Sequence, residues 1–449
     1  MKTIITIFAF ILLAGNAFTQ ENESIIITKE QKIYNLSLIW QEINYNFPYL
    51  NDSDINWDSL YISTISKVLN ATSNSNYYKE LQKFVSVFHE GHTMVISPDV
   101  EPQGIVNLFA KYLNGDFYIT GVGVEYCDMV NVGCKILEIN NIDVKEYFDS
   151  TIYPYESCPA HIRYEFLSYK LFFGNLNDSL ILTINQNDTI KSIILKRHNS
   201  YGIFKVFKEF LKRDNYDFKV INKEIAYIKI GSFSDRSILK KIENDLDSII
   251  KCKSIILDVR DNGGGSSFGD EICRFFTKDS TFISYSMLTR INNAYYRALG
   301  AYSSEATAKI LNIEPRHLEY NDYFIFNEYE NKEWTTKNNV KLSGVLSDKK
   351  LCVLINPMVA SAAETFLITL RNLNKGVFIG EPTYGSATQP LVLPLYGGGQ
   401  VRIATQKTTY ITGEIYNYIK PDIYVSPTIE DYLNVNDRVM NNAIDYLSK

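Results

Sequence analysis

The chain has 449 residues, 45 Lys and Arg against 51 Asp and Glu for a formal net charge of −6, and 45% hydrophobic against 21% charged residues. This mildly acidic balance argues against a dedicated nucleic-acid binder, and the apolar content excludes a largely disordered chain. The length exceeds what a single core usually supports, so two or three domains are expected.

Residues 1–20 read as a secretory signal peptide: Lys2, the apolar run Ile4 to Ala14, then small and polar residues through Ala17 and Thr19. The run is too short to span a bilayer. Asn16 stands where a bacterial lipoprotein would carry Cys, so a protein exported to the periplasm or beyond, without a lipid anchor or stable membrane insertion, is expected.

From 21 to 100 the pattern predicts a helical domain, with Ile33, Leu36, Ile39, Trp40 and Ile43 at helical spacing. It ends at the loop His89-Glu90-Gly91-His92-Thr93, and Met94 to Pro98 reads as extended. Residues 101–200 alternate short extended runs with turns, as in Phe117–Thr120, Leu180–Ile184 and Ser192–Lys196, and predict a β-rich domain. From 201 to 449 an α/β unit is expected. Its signals are the strands Ile225–Ile230, Ser254–Val259, Leu351–Ile355 and Val377–Ile379, a helix with Ile238, Ile242, Leu246 and Ile249 inward, and another from Ala362 to Leu373. A hairpin across Leu391–Tyr410 turns at Gly397-Gly398-Gly399, and a closing helix buries Val439, Ala443 and Leu447.

Three segments could carry chemistry. Asp258-Val-Arg-Asp-Asn-Gly263-Gly264-Gly265 follows an apolar strand, and its glycines expose backbone N–H groups able to hold an anionic oxygen; a plain tight turn is the alternative. Val359-Ala-Ser361-Ala-Ala-Glu364 follows another strand and opens a helix. Ser361 there suits a nucleophile with the Ala362 amide facing the developing oxyanion, while Ser361 with Glu364 also reads as a capping box. A Ser hydroxyl needs a base. Among five histidines His92 is the best placed, and Glu414 is the candidate carboxylate to orient it. The six cysteines show no metal spacing and their pairing cannot be deduced; no metal or cofactor is implied.

Taken in chain order, these segments and three others resemble the C-terminal processing (tail-specific) serine peptidase family, and its tricorn-type branch most. The others are Val132-Gly-Cys-Lys-Ile-Leu-Glu-Ile-Asn-Asn141, Gly380-Glu-Pro-Thr-Tyr-Gly385 and Pro421-Asp422. The resemblance implies an α/β fold with a crotonase-like spiral core, a PDZ-like domain and an N-terminal helical domain. It implies Ser361 as nucleophile, and Ala362 with one of Gly263 or Gly264 as oxyanion hole. Ser386, 25 residues past Ser361, stands where the Ser/Lys branch places its catalytic Lys, which leaves His92 as base. Gly91 stands where the tricorn pattern has a relay Ser, so the relay from His92 to a carboxylate is expected to be incomplete. Protein or peptide substrates bound in extended form are implied. A non-catalytic binder of peptides or apolar ligands on the same scaffold is the alternative.

Overall fold

The computed structural model describes residues 27–98, 103–199, 202–207, 214–337 and 342–449. The expected signal peptide lies outside these residues. No helix among them is long and apolar enough to cross a membrane.

Three helices, Lys29–Asn46, Trp57–Asn70 and Asn74–Ser86, open the fold, each started by a side-chain cap from Thr28, Asn56 or Ser73. Their core joins Leu36, Ile39, Ile43, Tyr77 and Leu81 to Val401 and Ile403, residues distant in sequence. The strand Met94–Ile96 pairs antiparallel with Gln400–Ala404, Met94 opposite Arg402, so the segment just after His92 is stitched to the C-terminal part of the chain.

A second region, between residues 103 and 207, forms a mostly antiparallel sheet around Phe117, Ile119, Ile136, Leu180, Leu182 and Leu195. It also holds the helix Val144–Thr151, capped by Asp143, which alternation of strands alone does not predict. The strand Phe204–Phe207, beyond the expected boundary at 200, pairs with Gly121–Gly123 of this sheet.

The third region is built on a six-stranded sheet in the order Tyr216–Ile221, Ile225–Ile230, Ser254–Asp258, Lys350–Ile355, Val377–Gly380, Ile423–Tyr424, parallel from the second strand on. Strand side chains alternate between faces, and both faces are covered. Ala226, Ile228, Ile255, Leu257 and Val353 pack on the helices Ser237–Lys251 and Ala362–Asn372. Tyr227, Ile256, Cys352 and Leu354 pack on the C-terminal helix Arg438–Leu447 through Val439, Ala443 and Leu447.

The hairpin is shorter than expected: Pro390–Pro394 pairs with Gln400–Ala404, while Gln406–Thr409 leaves it to pair with the long strand Thr281–Arg290. All six cysteines are free thiols, and among the described residues no His, Cys, Asp and Glu cluster has metal-binding geometry.

Candidate active site

The strands Ser254–Asp258 and Lys350–Ile355 are parallel neighbours, so the loops after them leave the same edge of the sheet, where open α/β sheets form their ligand crevices. The amide of Ala360 donates to Asn262 O at 3.1 Å, and Asp261 and Asn356 exchange two hydrogen bonds, joining the two loops. This brings the Gly263 turn against Ser361. A Cβ on Gly264 would lie 2.8 Å from Ala362 N and Ala360 O, and Gly264 has φ +95°, so only glycine fits there.

Ser361 does not act as a helix cap. Its side chain makes no capping bond, its backbone sits at φ 58°, ψ −126°, and Glu364 turns away from it. That backbone lies outside the populated wells, a strain of the kind held at functional sites. The capping-box alternative therefore fails. The buried Glu364 carboxylate instead accepts from Thr383 Oγ1 at 2.6 Å, Tyr416 OH at 2.5 Å, Gly385 N at 2.7 Å and Ser386 N at 2.8 Å. Burial pushes its pKa up, against these four bonds, which favour the charged form. The loop they hold is the one that returns to Ser361: Ser361 N donates to Ser386 O at 2.9 Å.

His92 Nε2 lies 3.2 Å from Ser361 Oγ, and its Nδ1 bonds Ser386 Oγ. Ser386 Oγ in turn donates to Glu90 Oε1 at 2.5 Å. Since the Ser386 proton goes to Glu90, its oxygen accepts from His92 Nδ1–H. Nε2 is then bare and accepts from Ser361. Glu90 is fixed through its other oxygen, which accepts from His92 N at 3.1 Å and Thr93 Oγ1 at 2.7 Å. Burial lowers the His92 pKa, with Glu90 opposing and Arg402 assisting, so the ring is neutral at neutral pH.

The expectations for Glu414, for the relay and for the glycines need correction. Glu414 is exposed in the turn between Tyr410 and Tyr416, its amide bonding Thr412 Oγ1; the carboxylate beside His92 is Glu90. The relay hydroxyl missing at Gly91 is supplied by Ser386, from a loop 294 residues further along the chain. Gly264 N is engaged, donating to Asn262 Oδ1 at 3.0 Å, whereas the amides of Gly263 and Ala362 have no partner among the described residues and Gly263 faces open space. Sequence reasoning passed over Glu90 and Ser386. Glu90 stands two residues from His92 in the same loop, and in the sequence Ser386 is marked only by not being Lys.

Hydroxyl, imidazole, hydroxyl and carboxylate in line beside two unpaired amides form the constellation of a serine hydrolase. Residues 224–425 match the family described as Peptidase family S41, the class to which the sequence resemblance points. A tail-specific protease of Haemophilus influenzae is 25% identical over 176 residues, 38% of this chain, and the match spans 19% of that relative's length. Among solved structures, mature CPAF complexed with lactacystin superposes with a TM-score of 0.69 at 12% identity, over 93% of this chain and 97% of that one. A putative peptidase from Parabacteroides merdae gives 0.52 at 16% identity, over 94% and 96%. These likenesses show that the chain has the mixed α/β fold of those solved structures.

Proposed function

We propose that the protein is an exported, metal-independent serine endopeptidase that cleaves peptide bonds of extended protein or peptide substrates, near their C-terminus. Ser361 Oγ attacks the scissile carbonyl while His92 Nε2 takes its proton. The Gly263 and Ala362 amides hold the tetrahedral oxyanion, and His92 returns the proton to the leaving amine. Ser386 and Glu90 orient the ring and stabilise its cationic form. The observation that carries this reading is the double engagement of His92, Nε2 on Ser361 and Nδ1 on Ser386. It also removes the incomplete relay that favoured the non-catalytic alternative.

Under the same proposal, residues 21–100 are a helical domain, 101–200 together with the strand Phe204–Phe207 a PDZ-like domain, and the remainder to 449 a crotonase-like core. Supporting this, the three largest apolar clusters fall mainly in these three ranges. Fluorophosphonate labelling of the purified protein tests the chemistry. Labelling at Ser361 that is lost in Ser361→Ala and His92→Ala is the expected result. A folded, unlabelled wild type rejects it and returns the binding-protein reading.

A further inference from the structure

Ser386 and Glu90 also line a cavity of about 390 Å³ whose lining includes neither Ser361 nor His92. It lies where the helical region, the β-rich region and the α/β region meet: Phe47, Tyr49 and Asp52 come from the first, His161 from the second, Thr388 and Tyr418 from the third. Its size is that of a small-molecule or side-chain site, ~300–1,000 Å³.

We propose that this cavity binds a basic group, an alkylguanidinium or alkylammonium. Two carboxylates, Glu90 and Asp52, line it, and no Lys or Arg does. Asp52 accepts from Lys407 Nζ at 2.7 Å from outside the lining, and Glu90 touches no Lys or Arg in any ion pair among the described residues. Of its rings, Phe47 and Phe88 supply faces for a cation, while Tyr49 already meets Lys407 Nζ at 5.6 Å from its centroid, and Tyr418 stacks on His161 and meets Lys420 Nζ at 5.7 Å. An anion would face Glu90 and Asp52, whereas a cation with N–H donors meets opposite charge there. The cavity's two histidines do not repel it. Burial lowers the pKa of His89 and of His161, which stacks on Tyr418 with centroids 4.0 Å apart.

The basic group has two sources, a side chain of the bound peptide or a free small cation acting on the relay. The link to catalysis rests on the roles proposed for Ser386 and Glu90; the binding does not. The test is calorimetric titration of n-butylguanidinium into full-length Ser361→Ala protein, with 1-pentanol as the uncharged control. Saturable binding of the cation alone is expected, weakened about tenfold or more by Asp52→Asn. No saturable binding to folded protein, or equal binding of the alcohol, overturns the proposal.

Peptide-library cleavage by the wild type then separates the sources. Preference for Arg or Lys at one position, erased in Asp52→Asn, assigns the site to a substrate side chain. Binding without such preference, together with slowed fluorophosphonate labelling, assigns it to a free cation. Protein that binds butylguanidinium yet never labels keeps this site and loses the peptidase reading.

Discussion

The ring of Tyr384 fills the space that any side chain at position 91 would need: a Cβ on Gly91 would meet Tyr384 Cε1 at 2.1 Å. Tyr384 is itself fixed, donating to Ser157 O at 3.2 Å and packing on Phe166 with centroids 4.5 Å apart. A relay Ser therefore cannot stand before His92 in this chain. Gly91→Ser is expected to destabilise the fold by about 1–3 kcal/mol through overpacking, read as a lower denaturant midpoint at unchanged slope. An unchanged midpoint would mean that Tyr384 yields without cost.

Ser386 stands in its stead, its Oγ bonded to His92 Nδ1 and to Glu90, and is the relay of the proposed mechanism. Ser386→Ala leaves His92 Nδ1–H without its acceptor and lets the ring turn from Ser361, so kcat is expected to fall about 10²- to 10⁴-fold with KM nearly constant. Steady-state kinetics on a cleaved peptide decide it, and a loss confined to KM would contradict the role.

Glu414 is the control. Exposed, and with no hydrogen bond or ion pair to His92 among the described residues, it is expected to tolerate Glu414→Ala with activity unchanged and stability within about 0.5 kcal/mol. A large loss of kcat would reinstate it as the orienting carboxylate.

The proposed mechanism needs His92 neutral, and burial holds its pKa below the ordinary histidine value of about 6.5. Protonation, and with it inactivation, therefore sets in only as pH falls below that value. The acid limb of kcat/KM is expected under about pH 6.5 and should move on Glu90→Gln, since Glu90 opposes the shift. A limb at or above pH 7 would contradict this assignment.

Arg260, two residues before Asn262, is gripped by Asp258 (2.9 and 2.8 Å) and by Asp437 (2.8 Å to each oxygen). Burial works against ionisation of Asp258, but the Arg260 charge outweighs it and keeps its pKa below the usual range. Asp437 also caps the C-terminal helix through Met440 N. Asp437→Ala leaves half of a buried guanidinium unpaired and is expected to cost about 3–5 kcal/mol, measured by chemical denaturation. A loss near zero would show that water takes the vacated place.

Much of the fold is legible from apolar patterning: the helices Ser237–Lys251 and Arg438–Leu447 carry a clear stripe of period 3.6, and the parallel strands, buried on both faces, read as continuous apolar runs. The helical insertion between Thr281–Arg290 and Tyr329–Lys337 carries none, because short helices with mostly exposed or half-buried faces have no sustained apolar stripe. Ser361 and Gly263 are legible for a local reason, since each stands just beyond a buried strand, where a parallel sheet exposes its loops. His92 is legible as a loop imidazole but not as a neighbour of Ser361.

What the sequence by itself determined is therefore the helical opening, the parallel strands, the closing helix and the residue types of the candidate site. Which carboxylate and which hydroxyl serve His92 was decided by tertiary structure alone. Glu90, Ser386 and Ser361 meet because the strand after His92 pairs with Gln400–Ala404 and because Glu364 draws the 383–386 loop onto the Ser361 turn. Hydrogen bonds act over about 3 Å, and sequence separation carries no information about which distant loops packing will bring within that reach.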